Sequence, residues 1–357
     1  MSTSATQPII TPSGSETQRP VVRIGTRKSA LAMIQAEWVA ASLKKLHPGV
    51  DFEVRGMLST ADKDKITALY KFGGKGLWTN ELEAALVARQ LDIIVHCAKD
   101  MPTSLPEGCT LACFTAREDP RDVVVVKKAL EGKYKSLADL PDGAVVGTSS
   151  VRRMAQIRRR YPKLRFQDMR GNIDTRLQKL DAADGEYAVL ILAAAGLHRS
   201  DRHARIAQYL ERDTAGGGGG GMLYAVGQGG LVVEARADDA EMLALLKPFE
   251  DEKTMLAIET ERSVMRTLEG GCSIPIGVET EWLEGNRLRL TGCVVSIEGT
   301  EAADAESVEE VTTREQAIVF GKKVAQMLVD NGAQAILDVI NADREASRDK
   351  AEPWVPA

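Results

Sequence analysis

Three places in this 357-residue sequence put hydroxyl and guanidinium side chains directly behind a short β-rich run. They are Thr26-Arg27-Lys28-Ser29, Thr148-Ser149-Ser150-Val151-Arg152-Arg153, and Arg170-Gly171-Asn172 leading to Thr175 and Arg176. Each reads as a helix start, where the first N–H groups lack intrahelical partners and the helix dipole favours an anion. Arginine adds a planar fork that pairs bidentately with carboxylate or phosphate. The chemistry implied is capture of a ligand with several acidic groups. The alternative, capped helices with surface arginines, stays open for any one junction and weakens for three together. From Ser149 to Arg205 there are eleven Arg and two Lys against five Asp and one Glu, a local +7 in a chain of net charge −5.

A second set of residues offers reaction chemistry. His96-Cys97-Ala98-Lys99-Asp100 closes an apolar run with charged groups, the usual end of a strand for catalytic side chains. Asp100 suits an acid, a base or a stabiliser of developing positive charge, and equally a surface pair with Lys99. Cys272 stands between Gly271 and Ser273-Ile274-Pro275 with little bulk around it, so it reads either as a reactive loop thiol or as an incidental cysteine. His96 with Cys109 and Cys113 does not make a complete ligand set at a familiar spacing, and no metal site is expected. Gly73-Gly74-Lys75-Gly76 lacks the spacing and ending of a phosphate loop.

The elements that must position these groups alternate. Val21 to Thr26 reads as a strand, Ser29 caps a helix from Ala30 to His47, and Asp51 to Met57 reads as a second strand. Ser59 to Leu77 is polar and Gly-rich and reads as a mobile loop. Asn80 with Glu83 makes a capping-box-like start to a helix reaching Gln90, before the apolar run Asp92 to Cys97. Beyond a hinge at Glu118-Asp119-Pro120-Arg121, strands are expected at Val123–Val126, Ala144–Gly147, Arg165–Met169 and Val189–Ala193. Helices are expected over Ser150–Arg160 and Ile173–Asp184. Gly230 to Ala237 reads as a strand returning to the first domain, followed by helices over Ala240–Phe249 and Lys253–Leu268. A hairpin is expected over Trp282–Ser296, and a helix over Arg314–Asn331.

The expected organisation is therefore α/β in three domains. A disordered tail (1–20) precedes domain 1 (21–117 plus 228–248) and domain 2 (118–215). A Gly-rich linker (216–227) then leads to an α+β domain 3 (249–357) carrying Cys272. Hydrophobic content of 44% and charged content of 27% exclude a disordered or fibrous chain. No run approaches the roughly 20 apolar residues of a membrane span. The first twenty residues do not read as a secretory signal, and five scattered cysteines suit a reducing compartment, so a cytoplasmic location is expected. Nucleic-acid binding is disfavoured by the net charge of −5 and the 4% aromatic content. A non-catalytic anion-binding protein is the competing class.

Taken together, eight ordered blocks resemble the porphobilinogen deaminase family: RIGTRKSALAMIQA, GGKGLWTNELE, VHCAKDMPT, GTSSVRRMAQ, MRGNIDTRLQKL, AAAGLHR, AVGQGG and EGGCSIPIG. The resemblance implies two periplasmic-binding-protein-like (type II) domains with a cleft between them and a small third domain. It implies stepwise condensation of four porphobilinogen molecules, with loss of ammonia, into the linear tetrapyrrole hydroxymethylbilane. A dipyrromethane cofactor, held through a thioether that maps onto Cys272, would prime the chain, and Asp100 maps onto the catalytic carboxylate.

By the same resemblance, Lys99, Thr148, Ser149, Ser150, Arg152, Arg153 and Arg170 are expected around the cofactor. Arg27, Ser29, Arg176, Arg199, Gln35 and Gln228 are expected around the substrate, and Lys71 and Lys75 in a cleft-covering loop. A monomer is expected, with no nucleic-acid or membrane partner. Cys97 stands where many relatives have Ser, which alters a hydrogen bond near Asp100, and the run Gly216–Gly221 looks like an insertion.

Overall fold

The computed structural model describes residues 21–58, 79–212, 221–268 and 274–349. The expected tail, Lys71, Lys75, Cys272 and most of the Gly216–Gly221 run lie outside the described residues.

Strand β1 (Val21–Arg27) enters helix α1 (Ala30–Leu46), whose N-cap Ser29 accepts from the Ala32 N–H. The helix buries Gln35, Ala36, Val39 and Leu43, a stripe at helical spacing laid on the sheet. Strand β2 (Asp51–Met57) runs parallel to β1. Helix α2 (Asn80–Val87) is capped by Thr79 and not by Asn80, and without a side-chain cap bond. The expected capping box does not form because Glu83 is turned inward and is 3% exposed. Strands β3 (Ile93–Cys97) and β4 (Cys109–Phe114) complete the local part of this sheet.

The second sheet uses β5 (Asp122–Val126), β6 (Val145–Gly147), β7 (Arg165–Gln167), β8 (Tyr187–Ala193) and β9 (Gln208–Leu210). Between them lie α3 (Val151–Arg160), α4 (Ile173–Asp181) and the short α5 (Ala194–Arg199). All five residues of β5 are buried, and each buried valine contributes roughly 1.5–3 kcal/mol. Strand β10 (Leu231–Arg236) returns to the first sheet, between β3 and β4 and antiparallel to both.

The strand orders are β2-β1-β3-β10-β4 and β7-β6-β8-β5-β9. They share one pattern. In each sheet a parallel trio meets an antiparallel strand that begins just beyond a segment crossing between the two sheets. The two sheets thus form two lobes of like topology, and residues of both line a cleft between them.

A short helix α6 (Ala240–Leu246) precedes α7 (Glu252–Thr267), which is buried almost all round from Thr254 to Met265. This helix has no solvent-exposed face over that stretch although it carries Glu259, Glu261 and Arg262, so its charged groups must find partners inside the molecule. Helix α7 lies between the first lobe and a three-stranded meander. The meander comprises β11 (Ile276–Trp282), β12 (Arg287–Val295) and β13 (Ala302–Glu310). The β11–β12 turn puts Gly285 at φ +70° and Asn286 at φ +57°, the left-handed pair that a tight hairpin needs. Helices α8 (Arg314–Asp330) and α9 (Ala333–Asp349) complete this third unit. Among the described residues no helix is long and apolar enough to cross a membrane.

Candidate active site

The parallel strands β1 and β3 end side by side, and the turns leaving them line the cleft. Behind β1 come Arg27 and the α1 N-terminus at Ser29. Behind β3 comes a tight turn, Ala98–Asp100, carrying Lys99 and Asp100. Open α/β sheets bind ligands at this carboxyl edge. Arg199, at the end of α5, lines the same cleft from the second lobe, and Gly229 and Gly230 of a crossing segment close its back. Arg27, Ser29, Gln35, Lys99, Asp100 and Arg199 are therefore brought together around one cavity.

The charge balance of this cavity is uneven. Burial pulls the Lys99 ammonium below its ordinary range, Asp100 opposes that shift, and the charge on Arg153 adds to it. Burial also lowers Arg199. Arg176 falls to about 10, first through burial and then through Arg153. Cations shifted in this direction are poorly solvated and short of counter-charge. A ligand bearing several carboxylates would supply it.

Several side chains in this region already have partners. The Arg199 Nη2 donates to the Gly229 carbonyl at 2.7 Å. The Cys97 thiol donates to Gln35 Oε1 at 3.4 Å, so the sulfur keeps a donor role beside Asp100. Burial, with Asp100 next, raises that thiol's pKa.

The α3 junction is built differently from an open anion site. Ser150 caps the helix by accepting from the Arg153 N–H, and Thr148 Oγ1 accepts from the Ser150 N–H at 3.2 Å. Ser149 Oγ donates to the Met169 carbonyl at 2.9 Å. Arg152 and Arg153 are 6% and 7% exposed and converge on Asp122. Arg152 Nη1 lies 2.7 Å from Asp122 Oδ2, and Arg153 Nε and Nη2 lie 2.9 and 2.6 Å from Oδ1. The expectation that both guanidiniums stand open at a helix N-terminus is corrected accordingly. A carboxylate at the start of β5 holds them, and two cations on one anion leave one positive charge over.

Gln228 joins the same knot. Its Nε2 donates to the Pro120 carbonyl at 2.7 Å and to Asp122 Oδ1 at 3.0 Å, so it braces the crossing segment and does not line the cleft. Arg170 pairs with Asp168 at 3.0 Å, and Arg176 Nε donates to the Gly171 carbonyl at 2.7 Å. Neither lines the cavity, although Arg176 is close enough to Arg153 to feel its charge.

Sequence reasoning missed three groups. Asp122 is one, although a lone acid ahead of four valines is a visible signal. The buried His96–Glu234 pair, 2.9 Å apart, is another. Here the His96 ring is committed to a carboxylate on β10. The third is Arg117, which reaches Glu261 on α7 through two bonds of 2.6 and 3.0 Å and Thr280 on β11 at 3.1 Å. Glu261 also accepts from the Gly227 N–H at 2.8 Å. One ion pair thus joins the crossing segments to the third unit.

Comparison with known proteins gives a consistent result. The profile described as "Porphobilinogen deaminase, dipyromethane cofactor binding domain" matches residues 22–244, and "Porphobilinogen deaminase, C-terminal domain" matches residues 255–330. A porphobilinogen deaminase of Neurospora crassa is 55% identical over 92% of this chain and 96% of its own length. Those of Saccharomyces cerevisiae and a Nostoc species are each 46% identical, over 90% and 91% of this chain and 98% and 96% of theirs. Among solved structures, the periplasmic VFT2 domain of Bordetella pertussis BvgS overlaps 67% of this chain and 92% of its own at 15% identity and a TM-score of 0.38.

Proposed function

The chain belongs to the porphobilinogen deaminase family, and on that premise we propose that Asp100 is its catalytic carboxylate and Cys272 the thioether anchor of its dipyrromethane cofactor. The protein is an enzyme, a transferase that joins four porphobilinogen molecules into hydroxymethylbilane and releases ammonia at each addition. The observation that carries the site assignment is the meeting of Asp100 with poorly solvated cations on the carboxyl edge of β1 and β3.

The residues present fit a polyanionic cofactor. Lys99 and Arg199 are desolvated cations lining one cavity, and Arg152 and Arg153 carry a surplus charge next to it. Lys99, with Thr148, Ser149 and Ser150 at the start of α3, would surround the acetate and propionate groups of the dipyrromethane, while Arg152 and Arg153, held on Asp122, would act on them through their surplus charge. Arg27, Ser29, Gln35 and Arg199 would serve those of the arriving substrate, with Arg176 adding its charge from outside the cavity and Gln228 holding Asp122 in place. Once bound, the dipyrromethane supplies an electron-rich terminal pyrrole carbon to which the first substrate is joined.

The work of the chain's own residues is dictated by charge. When the aminomethyl C–N bond of porphobilinogen breaks, ammonia takes the electron pair and the substrate pyrrole is left cationic. The Asp100 carboxylate beside the pyrrole N–H would stabilise that cation through space and take up the proton given off by the pyrrole carbon at which the new C–C bond forms. Lys99 and Arg199 bind carboxylates before and after the step alike, so their contribution is to orientation. Monomeric, cytoplasmic operation belongs to the same proposal.

Intact mass and turnover test this reading. The purified protein should exceed its sequence mass by two condensed, deaminated porphobilinogen units, and Cys272→Ser should not. Asp100→Ala should keep the added mass and lose about 100-fold or more in turnover. An unmodified wild-type mass, or an active Asp100→Ala, would refute it.

A further inference from the structure

Arginine is seldom fully buried, because its guanidinium must then find acceptors for its N–H groups away from water. Arg262 on α7 is 2% exposed. Its Nη2 donates to the Pro102 carbonyl at 2.7 Å and its Nη1 to the Met101 carbonyl at 3.4 Å. These are the first two carbonyls after Asp100, and they lie outside any strand. One turn further along α7, Arg266 Nε donates to the Thr103 carbonyl at 3.3 Å. One turn earlier, fully buried Ile258 packs in a cluster with Ala98 and Met101.

Residues 258, 262 and 266 form one i, i+4, i+8 stripe. That stripe grips the whole turn from Ala98 to Thr103. From a neighbouring face, Glu261 holds Arg117 and the Gly227 N–H, which stops the helix from sliding. From Arg262 to the C-cap Leu268, four positions before Cys272 in the sequence, the helix rises only about 9 Å.

We propose that Arg262 is a positioning residue for the condensation: by clamping the carbonyls of Met101 and Pro102 to α7, it fixes the Asp100 carboxylate relative to α7, the last described helix before Cys272 in the sequence. The proposal rests on the reading of Asp100 and Cys272 given above. Bond formation needs reacting groups held to a fraction of an ångström. Asp100 follows β3 of the first lobe while α7 packs on the third unit, and Arg262 is the buried side chain that bonds the turn directly behind Asp100 to that helix.

A double-mutant cycle on the cofactor-loaded enzyme tests it. Arg262→Lys keeps one donor group and should retain the cofactor mass and a KM within about twofold, while kcat falls about tenfold. In an Asp100→Asn background the same substitution should cost under about twofold, since its effect passes through Asp100. A full-sized loss in both backgrounds, or no loss in either, overturns the proposal. If Asp100→Asn alone leaves kcat intact, it is the assignment of Asp100 that fails, which is a separate result.

Native-state hydrogen exchange on the unaltered enzyme needs no variant to fold and decides the matter if Arg262→Lys does not load. The amides of Ala98 to Met101 should open together with those of α7. Opening of the turn about tenfold or more ahead of the helix would overturn the clamp.

Discussion

Asp122 divides its two carboxylate oxygens between Arg152 and Arg153, at 2.7 and 2.6 Å, in a site where all three side chains are nearly excluded from water. The two guanidiniums hold its carboxyl well below the usual carboxylate range, although burial alone would push it up. The residues that furnish the cleft's surplus positive charge are thereby fixed to the first strand of the second lobe.

Breaking that arrangement is costly because it leaves two buried cations without their anion. Asp122→Asn should lower stability by about 3–5 kcal/mol, read as a fall in the urea midpoint at constant slope. The pH dependence has a definite sign. A depressed folded-state pKa gives stability that is fully present above the unfolded value of about 3.9 and is lost as pH falls toward the folded one. The gap between wild type and Asp122→Asn should therefore stay constant from neutral pH to about 5 and narrow below about 4.

The ion pair of Arg117 and Glu261 predicts a cycle with a different outcome. Removing either partner alone strands a buried charge and should cost about 3–5 kcal/mol. The double variant Arg117→Met with Glu261→Leu leaves no charge behind and should recover more than half of either single loss. Urea unfolding of the four proteins checks this, and simple additivity would mean that the pair is not coupled.

Lys99 ties stability and binding in opposite directions. Its ammonium is disfavoured by burial in the cleft, so its charge is retained against that tendency and should matter for anions. Lys99→Met should slow loading of the dipyrromethane about tenfold or more, roughly 1.4 kcal/mol or above, read by intact mass as cofactor-free protein is incubated with porphobilinogen. Because the lysine pKa is lowered, wild-type loading should slow as pH rises toward the alkaline range. Lys99→Arg should flatten that decline, since a guanidinium keeps its charge. Loading rates measured across pH check both effects.

How far the sequence carries this picture depends on whether the deciding interaction is local. Ser29, Ser150 and Asn172 are legible as helix starts, and each accepts from a backbone N–H at the expected place. Capping is settled within three residues. The partner of Arg152 and Arg153 lies about thirty positions upstream, and no spacing rule reaches it. Glu83 has the spacing of a cap, yet its fate depends on Glu234 and His96 across the sheet. Strand β13, with the sequence AADAESVEE, carries no strand signature, and nine paired positions along β12 impose its form. Whether a cysteine or aspartate reacts is likewise undecidable from residue type, and the family blocks separate the readings.

The crossing between the lobes yields the last prediction. Gly229 has φ +85°, and a Cβ there would stand 2.2 Å from the Glu118 carbonyl oxygen of the other crossing segment. Gly143 has a similar φ of +79° with nothing within 4 Å. Both incur the left-handed penalty on substitution by alanine, about 1–2 kcal/mol, but only Gly229 adds a collision with backbone. That collision cannot be relieved by a rotamer. It would have to part the two segments that Glu118 N–H and the Gly229 carbonyl join at 3.2 Å. Gly229→Ala should therefore destabilise by about 1–3 kcal/mol beyond Gly143→Ala. It should also loosen Arg199, whose guanidinium rests on that same carbonyl, and so raise KM where Gly143→Ala leaves it unchanged. Equal thermal midpoints for the two variants would show that the crossing segments yield more easily than their spacing implies.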